Sequence, residues 1–345
     1  MNAFELDHRG RIESLLTLGY TQREAAFLDW AGLHSGYFLR RQFVRFIGKA
    51  AGGTAAAFIE RALAFGHIKA LTYTANVHLY HLCSRRFYTA LAQPNNRNRR
   101  DRQPLTIKAK LMALDYVLAN TAYTYLATEQ EKFEYFTAHV GLEPKVLPQV
   151  VFGGADDGSS TRRYFIDKFP IYLETLTDEA IRPTFCYVDP GATTVSGFET
   201  YLSRYHGLFS CLEKFRLVYV ATRPLLFRDA AATFQRFVQG DRRADERKSG
   251  GSLTDLQAFF EARWLFERGD LATFDRAKLI WFRDLRTQLA GPEIDAQFEL
   301  WRRRRESTFT PESEPKSGAN PTLSGSFSTS VLENNYDVFG TLTLF

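Results

Sequence analysis

Apolar positions follow helical spacing over most of the first 120 residues, with one interruption by alternation. Thr21 and Glu24 form a T-x-x-E capping box. Behind it, Ala26, Phe27, Trp30 and Leu33 share one face of a helix predicted over 22–34. A second helix is predicted over 38–47, with Phe43, Val44 and Ile47 inward and Arg40, Arg41 and Arg45 outward. A glycine-rich turn over 48–53 leads to a third helix over 54–65. Thr54 is its expected cap, Phe58, Ile59, Ala62 and Leu63 its inner face, and Gly66 its stop. Two β-prone runs, 67–73 and 77–82, then predict a hairpin. Ser84 opens a short helix over 85–91, the polar stretch 94–103 (PNNRNRRDRQ) reads as a loop, and helical spacing resumes over 105–120. Helix, helix, turn, helix and hairpin is the order of a winged helix-turn-helix.

The second half carries a different pattern. A second T-x-x-E box at Thr128 and Glu131 starts another helix, and 153–160 (GGADDGSS) reads as a linker or loop. Strands are predicted at 163–166, 185–188 and 216–221, with helices over 195–214 and 227–238. Strands alternating with helices predict an α/β domain. Residues 253–301 read as helices rich in Phe, Trp and Arg. The expected organisation is an N-terminal lead (1–20), a winged-helix domain (21–104), a helical connector (105–152) and an α/β domain with C-terminal helices (153–305). A flexible Ser/Thr/Pro/Gly-rich tether (306–330) and an apolar end (331–345) follow, the latter suited to docking on its own domain or on a partner.

Charge changes this picture most. Between Tyr37 and Lys110 lie fourteen Lys and Arg but two acids, a local balance of +12 in a chain whose total is +5. A compact basic unit of this shape is expected to meet a double-stranded DNA backbone. Composition adds bounds. The 345 residues are 45% hydrophobic and 14% aromatic, ample for real cores. Cys83, Cys186 and Cys211 are widely spaced, with no CxxC pair and no zinc-type spacing, which fits a reducing compartment. The charged N-terminus lacks an apolar signal core, and no apolar run approaches the roughly 18 residues of a spanning helix. The expectation is a cytoplasmic protein without a membrane partner. No Walker loop, GxGxxG, GxSxG or HExxH motif is present.

The run from Phe43 to Leu91 resembles the winged-helix part of the replication-relaxation type proteins of bacterial plasmids and integrated mobile elements. The resembling features are a Thr-started helix ending in ERALAFGHI, the hairpin, and the segment YHLCSRRFYTAL. In the second half, FCYVDPGATT from Phe185 to Thr194, the following helix and RLVYVA resemble a degenerate restriction-endonuclease-like core. The resemblance implies an α+β protein that binds DNA in replication, mobilisation or transcription regulation. Fold analogy alone assigns no reaction.

The candidate DNA-binding residues fall in three sets. On the third helix, Thr54 can bond a phosphate or meet a thymine methyl, and Arg61 can read guanine. Arg40, Arg41, Arg45, Lys49, Lys69, Arg85 and Arg86 suit phosphate positioning, against the alternative of a solvated face. Arg97, Arg99, Arg100 and Arg102, interleaved with asparagines, read as a flexible basic arm or as a solubilising loop. A Mg²⁺-dependent endonuclease is an alternative, with Asp167 and Asp189 as carboxylates; no other cofactor or metal is expected. Against it, Asp189 has no Lys two residues later, Lys168 and Lys214 are displaced from that role, and Asp189-Pro190-Gly191 is a good turn. A third reading is a non-enzymatic adaptor in a nucleoprotein complex, with self-association or a protein partner held by the second domain or the C-terminal segment. His67, His78 and His81 cluster around the predicted hairpin and read as wing or core histidines.

Overall fold

A computed structural model describes residues 3–48, 52–72, 78–153, 160–167, 169–176, 180–240, 253–268, 323–334 and 336, with scattered positions between 282 and 302. The protein is of mixed α+β class. Two compact units are present: Met1–Val238 with Leu323–Phe345, and Gln239–Thr322.

The first unit begins with α1 (Ala3–Thr17) and α2 (Gln22–His34). The expected polar lead is therefore a helix. Ile12 and Leu15 are buried, and Arg11 donates to Asp29 at 2.7 Å and to Glu131 at 3.2 Å. Burial alone would raise the Asp29 carboxyl; the hydrogen bond to His8 and the Arg11 charge overcome it and hold the group below its ordinary value. The first capping box is half made, with Glu24 accepting from the Thr21 N–H at 2.9 Å.

Next come β1 (Tyr37–Leu39), α3 (Arg40–Ile47), α4 (Gly53–Ala64), β2 (Ile68–Thr72) and β3 (His78–Leu82). These strands form an antiparallel sheet in the order β1-β3-β2. The strand β1 replaces the expected start of the second helix because Tyr37, Phe38 and Leu39 pair with His81, Tyr80 and Leu79. Aromatic rings tie the helices together: Phe43 stacks on Phe58 at 4.2 Å, and Phe27 meets Phe43 edge-on at 5.2 Å. Ser84 caps α5 (Arg85–Ala90) through the Phe87 N–H, as expected. The hairpin tip, including Thr74, Ala75 and Asn76, lies outside the described residues.

The expected connector is the central helix of this unit. Helix α6 (Pro104–Ala119) buries Leu114 with the α2–α4 core. Ile107, Leu111, Met112 and Val117 pack with Tyr37, Leu39 and Leu79 on one side and with a second sheet on the other. A boundary near residue 105 is therefore absent, because α6 supplies core to both halves.

That second sheet contains β4 (Thr124–Tyr125), β7 (Ile171–Thr175), β8 (Ile181–Val188), β9 (Phe215–Ala221) and β10 (Gly325–Val331), in the order β10-β9-β8-β7-β4. Strands β8, β9 and β10 are mutually parallel; β7 and β4 are antiparallel to their neighbours. Alternation assigns the two faces. Phe185, Tyr187, Leu217 and Tyr219 face α8 (Ser196–Phe209) and α9 (Phe227–Val238). Cys186, Val188, Val218 and Val220 face the core containing α6. Before the sheet, α7 (Glu129–Glu134) opens with the second capping box, here fully reciprocal: the Glu131 N–H donates to Thr128 Oγ1 and the Thr128 N–H to Glu131 Oε2. A separate ribbon pairs β5 (Gln149–Gly153) with β6 (Ser160–Tyr164).

The end of the expected tether is sheet. Gly325–Val331 pairs in register with Phe215–Ala221. Its Phe, Thr and Val are strand formers, and an edge position tolerates its serines. Beyond it, Leu332 and Tyr336 are buried, so this part of the apolar end docks in cis, while residues 337–345 lie outside the described set. In the second unit, α10 (Leu253–Glu267) contributes Phe259, Phe260 and Ala262 to a core with Phe282 and Phe298. Among the described residues no helix is long and apolar enough to cross a membrane.

Candidate nucleic-acid interface

Helix α3 ends at Gly48, whose φ of 63° is left-handed and suits a residue without Cβ. After the turn, Gly52 rather than Thr54 is the N-cap of α4, and Thr54 stands exposed in its first turn. The Arg40 guanidinium donates to Gly52 O at 3.2 Å, which places a cation beside the N-terminus of α4. Neither α3 nor α4 has an acid in its first turn. Arg40, Arg45 and Thr54 are exposed, and Arg40 adds a side-chain cation to the positive end of the α4 dipole. Lys49 lies outside the described residues.

The other candidates separate from this group. Arg41 turns inward, donating to Asp115 at 2.8 Å and lying 5.0 Å over the Tyr336 ring. Asp115 is 3% exposed and also accepts from Gln42 at 2.8 Å, from Asn334 at 2.9 Å and from the Tyr336 hydroxyl. The expected outward Arg41 is thus half-buried in a clamp around the buried Asp115, because the acceptor arrives from α6. Arg61 donates to Glu24 at 2.6 Å, and Lys69 to Asp101 at 2.6 Å. Arg85 and Arg86 are exposed. Burial, and then the Arg86 charge, push the His67 imidazole below its ordinary pKa, so Arg86 lies near the chain that leaves α4 at its far end. A 12-residue helix is about 18 Å long, so the two ends of α4 are about that far apart.

The loop over 94–103 is not the free arm its composition predicts. Asn98, 1% exposed, donates to Gly32 O at 2.9 Å and Leu33 O at 3.1 Å, and accepts from Lys110 at 2.7 Å. Gly36 makes this possible: a Cβ there would sit 2.6 Å from Asn98 Cβ and 2.8 Å from its carbonyl oxygen. Arg99 donates to Cys83 O and Pro94 O, and Arg102 to Arg97 O. Arg100 is exposed.

The remaining candidates resolve locally. Asp189 is buried; Oδ1 accepts from the Gly191 and Ala192 N–H groups at 2.9 and 2.7 Å, and Oδ2 from the Tyr219 hydroxyl at 2.8 Å. It holds the turn that its Pro-Gly context predicts. Asp167 pairs with Arg204. Lys214 is exposed, and Lys168 lies outside the described residues. His67 bonds the Tyr20 hydroxyl at 2.8 Å, and His81 stacks on Tyr37 at 4.1 Å and meets Asn98 O at 2.9 Å, so both serve the core while His78 is exposed.

Residue-type reasoning missed the acids that neutralise the basic set. Glu24, Asp101 and Asp115 carried no local signal beyond a cap, a loop and a helix face. No protein-family model, curated protein or solved structure matches this chain.

Proposed function

We propose that this protein binds double-stranded DNA, with α2 to β3 acting as a winged helix-turn-helix and the start of α4 facing the phosphate backbone. The observation that carries this reading is the Arg40 guanidinium beside the α4 N-terminus, with Thr54 exposed in the first turn of α4, Arg45 exposed in the last turn of α3, and no acid in the first turn of either helix. Backbone N–H groups, a helix dipole and arginines together favour phosphate. Side chains suited to base reading are sparse on α4, so the interface positions more than it specifies. The resemblance to replication-relaxation type proteins supports a role in regulation, replication or mobilisation of a bacterial plasmid or mobile element.

A mobility-shift titration of the full chain with duplex DNA across a salt series tests this. Affinity falls steeply with salt, with a log–log slope of roughly −0.9 per phosphate contact. Absence of duplex binding at low salt, with binding to a protein partner retained, overturns the reading.

A further inference from the structure

A cleft of about 800 Å³ opens within the first unit, away from the Arg40 group. Its lining includes the loop after α5, the residues around Asn96, residues 163–167 and Phe169. Its size lies within the range of small-molecule sites, roughly 300–1,000 Å³.

Two independent features mark it. The first is charge. Arg97, Arg102, Arg163, Lys110 and Lys132 all line the cleft, against Glu129 and Asp167. Burial, and after it the charges of Arg163 and Arg100, push the Arg97 guanidinium below its ordinary pKa, which shows like charges gathered together. Lys132 is 5% exposed; burial lowers its ammonium to about 8, against the pull of Glu131 and Asp167. The second is backbone strain. Among the described residues two non-glycine residues have positive φ, Ala92 at 56° and Phe165 at 48°, and both line this cleft. Such strain collects at ligand clamps.

The lining also has an aromatic wall, where Phe133 and Tyr164 lie 4.9 Å apart between ring centres. Arginines in number suit the oxygens of a phosphate ester, and the aromatic wall suits a planar ring. We infer that this cleft is a binding site for a nucleotide, with Arg97, Arg102 and Arg163 on its phosphate and the Phe133–Tyr164 wall against its base.

The site is separate from the DNA surface proposed above and stands or falls independently of it. Isothermal titration of the full chain with AMP, GMP, CMP and UMP, the matching nucleosides and inorganic phosphate tests it. At least one nucleotide binds, roughly tenfold or more tighter than its nucleoside and than inorganic phosphate. Arg97→Gln with Arg102→Gln, confirmed folded by near-UV circular dichroism, weakens that binding about tenfold or more and leaves duplex affinity unchanged. Where that variant does not fold, Arg163→Gln alone, at a partly exposed position, gives the same weakening. Arg40→Ala with Arg45→Ala leaves nucleotide binding intact. No nucleotide binding tighter than about 1 mM, or binding unchanged in these cleft variants, overturns the site. Inorganic phosphate binding as tightly as any nucleotide, or a 5′-phosphorylated oligonucleotide binding where mononucleotides fail, overturns the ligand class.

Discussion

Helix α3 and the 94–103 loop are the two densest basic stretches of the N-terminal half, and they place their arginines differently. On α3, Arg40 and Arg45 stay exposed, Arg40 beside the N-terminus of α4. In the loop, a buried Asn98 pins the chain to α2, Arg99 and Arg102 bond carbonyls of nearby backbone, and Arg97 joins a cleft. The difference teaches that charge density along a sequence does not give charge density on a face. What decides is whether a neighbouring element brings an acceptor. Arg41, adjacent to Arg40, shows this within one turn of helix, because Asp115 on α6 takes it out of the exposed group.

Four measurements separate these two behaviours. The largest effect belongs to the acceptor. Asp115→Ala leaves Arg41 without its buried counter-charge and deprives Gln42, Asn334 and Tyr336 of an acceptor. Urea unfolding is expected to show a loss of roughly 3–5 kcal/mol. A loss below about 1 kcal/mol would mean that the clamp is not structural.

The next effect is on pH dependence, at the cleft end of the comparison. Burial, and then the Lys132 charge, hold the His34 imidazole down at about 3. Its unfolded value is about 6.5, so between those limits the unfolded chain takes up a proton that the folded chain refuses. The His34 contribution is therefore harmless above about pH 6.5 and increasingly destabilising as pH falls from there towards 3. Denaturation at pH 7 and 4.5 is expected to show a stability drop smaller by about 2 kcal/mol in His34→Gln than in the wild type. Equal drops in both proteins would count against a neutral, buried His34.

Third comes the exposed set itself. Arg40→Ala with Arg45→Ala is expected to weaken duplex binding about tenfold near 0.1 M salt and to flatten the salt slope by about one per lost contact, with the melting temperature unchanged. Arg41→Ala is expected to do the reverse, lowering the melting temperature with little change in salt slope. The smallest effect is at the Lys69–Asp101 pair, where both side chains are well exposed. Lys69→Ala is expected to change stability by less than about 1 kcal/mol in thermal melts.

Much of the fold was legible locally. The helix 22–34 and the helix 227–238 were placed at their observed limits, because apolar spacing and caps act within a few residues. The hairpin, α6 and RLVYVA were found for the same reason. Short strands were not. Tyr37–Leu39 and Thr124–Tyr125 exist only through pairing with distant partners, and Gly325–Val331 has too many serines to read as a strand until β9 lies beside it. For the candidate site, exposure of Arg40 and Arg45 was legible from helical spacing. The pairing of Arg41, Arg61 and Lys69 was not, since each acid lies 32 to 74 residues away in sequence.

Local sequence sets the caps at Thr21, Ser84 and Thr128, most of the helical faces, and the concentration of positive charge before residue 110. These follow from interactions along or next to the chain, whose range is a turn of helix or one residue of strand. Only the tertiary structure decided that α6 serves two cores at once, that the segment before Tyr336 folds back onto Asp115, and that three arginines from 97 to 163 share a cleft. Those outcomes depend on which distant groups meet, and burial makes each meeting decisive, because a charge or polar atom removed from water must find its partner within the fold.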